Sequence, residues 1–453
     1  MTAPNIAAAK AALAHLDLDQ NPVSVRAKSR DFFWYSPVLK ARLDHLTADF
    51  VVAPRTEAEV IEVLRVCHAH NVPVTPRGTG TGNYGQAIPL AGGCILHMHN
   101  MNAVKSIAPG RVVVEPGALL TDVDAACIAD SAQELRMYSS TWATATVGGF
   151  IAGGSGGVGS VRWGGLRDIG NIIRLRVVTM EAAPRVLEMT GEALARVSHA
   201  YGTNGIITAL DFRLRPATDW RHVIALFDGY EPTLRAAVSA HAAGHDCYLL
   251  SVVERRFARF YRRLDGIFAP ERDAIFAMVA PDAMSAFCAH IATAGGHIAL
   301  DLSLDQLDQA NLPPAWECGW NHTTLQALKH EPGVWTYSQI AYPQPFDPSV
   351  VPRQMARTGD EVYWHHEIAM MNGTLQVFAI PLVRWTDPAR VRTLQAEVEA
   401  LDGCTVFDPH AYTIEDGGMK AIDTTQIDFK RRADPQGLMN PGKTRGWTPD
   451  KAL

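Results

Sequence analysis

No two of the seven cysteines in this 453-residue chain form a C-x-x-C pair; Cys67, Cys94, Cys127, Cys247, Cys288, Cys318 and Cys404 are odd in number and widely scattered. That argues against a cysteine-based zinc, iron–sulfur or dithiol site and leaves them as reduced packing residues. No run approaches the ~18 apolar residues of a membrane span. The stretch from Met1 to Gln20 carries Asp17 and Asp19 and no apolar segment, so it does not read as a secretory signal, and a cytoplasmic protein is expected. Basic charge is short as well: 41 Lys and Arg against 47 Asp and Glu give a formal net charge of −6. Without a basic stripe, nucleic-acid binding is not expected. What remains, at 47% hydrophobic residues, is a globular chain of several domains with a sizeable core.

Glycine is locally dense. Four glycines fall within eight residues in Pro76-Arg77-Gly78-Thr79-Gly80-Thr81-Gly82-Asn83-Tyr84-Gly85, directly after the strand-like Val72-Pro73-Val74-Thr75. Glycine tolerates positive φ and lets backbone N–H groups approach an anion without a Cβ in the way, so the loop reads as a phosphate cradle. Gly80-x-Gly82-x-x-Gly85 also matches the dinucleotide fingerprint, but that reading needs a helix at the last glycine and an acidic residue about 20 positions on. Pro89 and Gly92-Gly93 deny the helix, and Glu115 lies too far along. A different nucleotide fold, or a plain glycine-rich turn, is left.

Phe50 to Pro54 reads as a buried strand. Thr56 and Glu59 read as a capping box for a helix with Val60, Val63, Leu64 and Cys67 on one face. With Val72–Thr75 this predicts a strand–helix–strand unit crossing into a parallel pair. Further strands are expected at 94–98 and 111–115, then a helix at 121–129. Seven glycines in the twelve positions from 148 to 159 look too many for a helix or an ordinary strand; a linker is the alternative, though Phe150 and Ile151 are unlike linker residues. After Trp220, strands at 223–227, 247–253, 374–380 and 404–407 alternate with helices at 231–243 and 387–401, as in an α+β sheet layered with helices.

Taken in order, these motifs resemble the flavoproteins of the vanillyl-alcohol oxidase and p-cresol methylhydroxylase (PCMH) type, in the branch of the glycolate oxidase subunit and D-lactate dehydrogenase. Pro76 to Gly82 resembles that family's pyrophosphate loop. Thr146-Val147-Gly148-Gly149, Gly156-Gly157 and Trp163 to Asp168 resemble its second flavin loop, Tyr201 to Thr208 the strand closing the FAD domain, and Asp434-Pro435 through Asn440-Pro441-Gly442-Lys443 its C-terminal signature. The resemblance implies an α+β fold: a two-subdomain PCMH-type FAD-binding domain over 1–218, a substrate cap with an antiparallel sheet flanked by helices over 219–404, and a segment at 405–453 returning to the FAD domain. It implies FAD contacts at Pro76, Arg77, Gly78, Thr79, Gly80, Thr81, Gly82, Gly85, Gly117, Ser140, Thr141, Thr146, Val147, Gly148, Gly149, Gly153, Gly156, Gly157, Gly205, Ile206, Ile207, Asn440 and Lys443. No histidine lies between Val72 and Gly93, so covalent attachment in the first loop is excluded and non-covalent FAD is expected.

The implied reaction is hydride transfer from a hydroxyl-bearing carbon to flavin. Where that branch carries metal histidines this chain has Met371 and Gln376, and Asp416 stands where it has another histidine. Met and Gln are poor ligands for a borderline divalent ion, so no metal is expected. Histidine suits the role of base that takes a hydroxyl proton. His365, His366 and His410, with Tyr412 and Asp416, are the catalytic candidates, Asp408 being placed to orient His410; Trp320, His322, Trp364 and Glu415 are candidates for substrate binding. Each of these histidines has a structural role as its alternative. His365-His366-Glu367 also admits a metal reading, which the opposite directions of adjacent side chains disfavour. The partners implied are a small-molecule substrate and an electron acceptor (oxygen, a quinone, a cytochrome or an electron-transfer protein), and a homodimer is compatible with the sequence. A metal-dependent D-2-hydroxy acid dehydrogenase and a non-catalytic flavin-binding electron-transfer subunit are the alternatives.

Overall fold

The computed structural model describes residues 3–448. The chain forms two compact units, one of Met1–Ser155, Leu166–Ala217 and Pro409–Leu453, the other of Gly156–Gly165 and Thr218–Asp408.

The first unit holds two sheets. In the four-stranded sheet the order is Leu18–Asp19, Phe50–Val52, Cys94–His97, Val74–Arg77. The predicted strand–helix–strand unit forms, but its two strands are not neighbours: each pairs in parallel with Cys94–His97, which lies between them. Cys94, Ile95 and Leu96 are all fully buried, as suits a central strand covered on both faces. The connecting helix Glu57–Ala69 buries Val60, Val63, Leu64 and Cys67. Its cap is half of the expected box: the Glu59 N–H donates to Thr56 Oγ1 at 3.2 Å, while the Glu59 carboxylate accepts from the Arg55 N–H at 2.8 Å.

The six-stranded antiparallel sheet runs Val104–Ala108, Arg111–Val114, Ile206–Pro216, Ile172–Val178, Val186–Thr190, with Gln133–Leu135 also pairing on Ile206–Pro216. Leu120–Ser131 is the expected helix. The second glycine-rich segment corrects the sequence reading, because Val147–Gly153 is helical. Thr146 caps it by accepting from the Gly149 N–H at 3.2 Å. Val147, Phe150 and Ile151 are buried, and that burial offsets the glycines' low helix propensity. Gly148 is required, since a Cβ there would stand 2.6 Å from Pro116.

The second unit is built on an eight-stranded, wholly antiparallel sheet in the order His297–Leu302, Arg221–Phe227, Asp273–Val279, Cys247–Val253, His365–Met371, Thr374–Ala379, Gln339–Ala341, Thr405–Phe407. Val223, Ala225 and Phe227 alternate onto one face and join a core with Leu234 and Ala237 of helix Tyr230–Ala242, Phe287 of Met284–Thr293 and Leu394 of Pro388–Asp402. That period of two places the helices on this face. Segment Gly156–Gly165 belongs here and not with residues 1–218 as expected: the Gly159 N–H donates to the Tyr248 carbonyl at 2.7 Å and Val161 enters the same core. The seven cysteines are free thiols. Among the described residues no helix is long and apolar enough to cross a membrane.

Candidate functional site

In the first unit the strand Val74–Arg77 delivers the first glycine loop. Gly80 and Gly85 have φ of 77° and 72°. Gly78 lies where a Cβ would collide with the Thr146 hydroxyl, and Gly80 where it would collide with the Arg77 guanidinium. The cradle is therefore open only to glycine, and Gly78 abuts the cap of the second glycine-rich segment. Arg77 is turned back on the loop: its guanidinium donates to the Thr79 carbonyl at 3.0 Å and to the Arg30 carbonyl. Asp31 fixes the exit, accepting from the Phe33 and Ala87 N–H groups at 2.9 and 3.2 Å, and the Phe32 N–H donates to the Gly82 carbonyl at 2.7 Å.

The C-terminal signature closes onto this loop. The Asn440 N–H donates to the Val74 carbonyl at 2.7 Å, and its side-chain amide donates to the carbonyls of Gln86 (2.8 Å) and Tyr201 (2.6 Å). Fully buried Lys443 donates to the Gly85 carbonyl at 2.6 Å. Burial pushes the Lys443 ammonium down and the Asp31 carboxyl up, while each partly restores the charge of the other. Gly202 packs against the Pro76 ring, and Gly205 (φ 126°) against Val177, at the start of the buried Ile206 and Ile207. Gly117 fits beneath the Met98 carbonyl, and a Cβ on Gly153 would lie 3.6 Å from Gln86. Ser140 is buried, and Thr141 exchanges a hydrogen bond with Ser139 at 2.9 Å.

Around the same signature, His410 Nδ1 meets Ser36 Oγ at 2.7 Å. Ser36 also caps helix Pro37–Leu43. Tyr412 accepts from Arg42 at 3.1 Å and has the Lys443 ammonium 5.3 Å from its ring centroid. Glu415–Met419 is a π-helical turn, a form frequent at functional sites. Buried Glu415 accepts from the Thr444 hydroxyl and the Arg445 and Gly446 N–H groups at 2.6, 3.0 and 3.1 Å, so its oxygens are committed to the tail. Asp416 accepts from Thr413 at 2.8 Å and pairs with Arg445 at 2.9 Å.

The remaining candidates lie in the second unit. His365 and His366 point to opposite faces of one strand and are fully buried. His365 Nε2 bonds Glu367 at 2.6 Å, and Glu367 also accepts from the Ser251 hydroxyl (2.7 Å) and the Trp320 N–H (2.5 Å). Both nitrogens of His366 are engaged, Nδ1 with the Tyr230 hydroxyl at 2.7 Å and Nε2 with that of Tyr342 at 3.0 Å, and burial drives its pKa well down. Trp364 is a core residue donating to Thr358 Oγ1 at 3.3 Å. Trp320 Nε1 and His322 Nδ1 are buried without a partner among the described residues. Gly156 and Gly157 are in this unit too, the Gly157 N–H donating to Ser160 Oγ at 2.9 Å. Sequence reasoning missed His199 and took Tyr201 only as the start of a strand motif; both carry left-handed backbone without being glycine.

Residues 48–186 match the family model described as an FAD binding domain. The chain is 30% identical over 208 residues to an uncharacterized FAD-linked oxidoreductase of Mycobacterium tuberculosis, covering 43% of this chain and 44% of that protein. It is 29% identical over 208 residues to the glycolate oxidase subunit of Bacillus subtilis, covering 43% of each. The match thus spans less than half the length of these relatives. Solved structures share the fold: alkyldihydroxyacetonephosphate synthase (TM-score 0.72, 12% identity, 94% of this chain and 82% of that one) and 4-ethylphenol oxidase from Gulosibacter chungangensis (TM-score 0.68, 15% identity, 100% of both). The stretch from 48 to 186 is an FAD-binding domain, the fold is α+β, and FAD is the cofactor of the chain.

Proposed function

We propose that this protein is an FAD-dependent oxidoreductase that oxidises a hydroxyl-bearing carbon of a small molecule to a carbonyl. The observation that carries the reading is that the loop at 76–85 abuts the helix cap at 146 through Gly78, while Asn440 of the signature ties the two ends of that loop to the turn at 201–207. The FAD fits this chain: Gly78 and Gly80 form a cradle that any Cβ would fill, and bare amides there suit a diphosphate. Bound FAD supplies the hydride acceptor.

The residues of the chain supply position and proton transfer. Asn440 and Lys443 hold the first loop in its anion-binding form. His410, on the segment that ends at this signature, takes the hydroxyl proton at Nε2 while Ser36 holds Nδ1, the geometry of a positioned general base. His366 is disfavoured for that role because both of its nitrogens are bound to tyrosines in the core. The relative named as a glycolate oxidase subunit supports a 2-hydroxy acid as substrate, and an aromatic alcohol is the other member of the same reaction class. Anaerobic mixing of the yellow protein with a panel of 2-hydroxy acids and aromatic alcohols tests the reading: bleaching of the flavin by one class supports it, and no reduction by any member counts against it.

A further inference from the structure

His199 and Tyr201 stand on the turn that leads into strand Ile206–Pro216, with φ of 53° and 50°. Side chains other than glycine adopt this conformation at a cost and keep it where surrounding contacts enforce it. Those contacts are present: the His199 and Tyr201 N–H groups donate to the Ile151 and Ala152 carbonyls at 2.9 and 2.8 Å, and Asn440 grips the Tyr201 carbonyl. The two rings are buried, 5.6 Å apart between centroids. They lie against the π-helical turn, where a Cβ on Gly417 or Gly418 would stand 3.5 or 3.2 Å from Tyr201 Oη. Buried as it is, Tyr201 Oη has no hydrogen-bond partner among the described residues. A buried hydroxyl left unpaired weakens a fold, so its retention calls for a ligand.

The charge around the pair selects the kind of ligand. Burial, with the Asp31 and Glu415 carboxylates nearby, pushes the Tyr201 phenol up, so it stays an O–H donor. Burial, and next the Arg167 guanidinium, lower the His199 imidazole to about 4, so it is neutral near pH 7. A pair of neutral groups, with carboxylates on the Tyr201 side and a guanidinium on the His199 side, suits an uncharged, carbonyl-rich heteroaromatic ring rather than a diphosphate.

We propose that Tyr201 Oη, with His199 beside it, is a cofactor-positioning hydroxyl that hydrogen-bonds the polar edge of the flavin ring when FAD binds. The inference rests on the FAD reading above. It gives Tyr201→Phe a pair of effects that a structural hydroxyl would not produce. The apoprotein keeps or gains thermal stability, because an unpaired polar group is removed. FAD affinity falls about tenfold, the usual worth of one hydrogen bond, and the absorption bands and midpoint potential of the bound flavin move from their wild-type values.

The experiment is fluorescence titration of the full-length apoprotein with FAD, together with the visible spectrum and dye-equilibrated potential of the reconstituted protein, for wild type, Tyr201→Phe and His199→Asn. Weakened binding with a shifted spectrum and potential in Tyr201→Phe, and a change in the same direction in His199→Asn, supports the assignment. Wild-type affinity, spectrum and potential in Tyr201→Phe overturns it, as does a loss of apoprotein stability with the flavin properties unchanged. Failure of the wild-type chain to bind FAD is a separate result that removes the proposed function itself.

Discussion

Asn440 and Tyr201, 239 positions apart, are joined by a 2.6 Å hydrogen bond from the Asn440 side-chain amide to the Tyr201 carbonyl. Asn440 has φ of 39°, a backbone region that asparagine enters more readily than most residues. Asn440→Ala removes three side-chain bonds, the amide's to Gln86 and Tyr201 and the one its oxygen accepts from the Thr75 hydroxyl, and adds backbone strain, so a loss on the order of 2–4 kcal/mol of stability is expected, with weaker FAD binding. Thermal unfolding and flavin titration measure the two effects. A variant of wild-type stability would show that the signature does not clamp the loop.

The glycine cradle makes a sharper prediction. Gly80 combines φ of 77° with an Arg77 guanidinium where its Cβ would go. Gly80→Val therefore abolishes FAD binding, since a β-branched side chain is both strained there and in the way. The core of the second unit contains no residue of this loop, so much of the circular dichroism signal is retained. Flavin affinity equal to wild type would reduce the loop to a surface turn.

FAD is expected to leave the protein on acid or heat denaturation, because the loop offers amides and no histidine. Centrifugation followed by absorbance of the supernatant decides it. Flavin pelleting with the polypeptide would point instead to a covalent tether elsewhere, with His365 and His410 as the first residues to examine.

Much of this was legible in the sequence. The glycine loop, the helix face of Val60, Val63, Leu64 and Cys67, and the strand–helix alternation after Trp220 follow from local pattern, and each forms. The rest depends on long-range packing. Insertion of Cys94–His97 between two strands leaves no local trace, and the helix Val147–Gly153 forms against propensity because Thr146 caps it and Val147, Phe150 and Ile151 are buried. Ser36 reaches His410 across 374 positions. His199 escaped notice, and Tyr201 stood only at the head of a strand motif, because left-handed backbone has its strong sequence signal at glycine and neither residue is one.

Stability should fall on acidification. His199, His222 and His322 are lowered to about 4, His97 to about 3 and His366 well below its usual value, each chiefly by burial. For a base depressed in the fold, the unfolded chain binds the proton first. The stability contribution is thus full above ~6.5, falls as pH drops from there and levels off once the folded pKa is passed, with a slope of up to ~1.4 kcal/mol per pH unit per group. Asp124, raised to about 6 by burial, opposes this below that pH. Urea unfolding between pH 7.5 and 5 is expected to show decreasing stability, and His222→Gln to flatten the slope. A slope identical in the variant would mean His222 titrates alike in both states.

The proton-transfer assignment is the most demanding test. His410→Gln keeps a polar group near Ser36 but removes the base, so flavin reduction should slow by a factor on the order of 10² to 10⁴. FAD affinity should stay near wild type, because the diphosphate loop and Asn440 are untouched. The defect should shrink at higher pH, where the substrate hydroxyl loses its proton more readily. Ser36→Ala, which leaves the imidazole but frees Nδ1, should give a smaller loss, and it also removes the cap on Pro37–Leu43. Anaerobic stopped-flow reduction of the flavin separates these effects from reoxidation. If His410→Gln reduces flavin at the parental rate while His365→Gln does not, the base belongs to the His365–Glu367 pair of the second unit, whose 2.6 Å contact orients the ring. If neither variant is slowed, histidine base catalysis is wrong, and Tyr412, with Arg42 on its hydroxyl, becomes the group to replace.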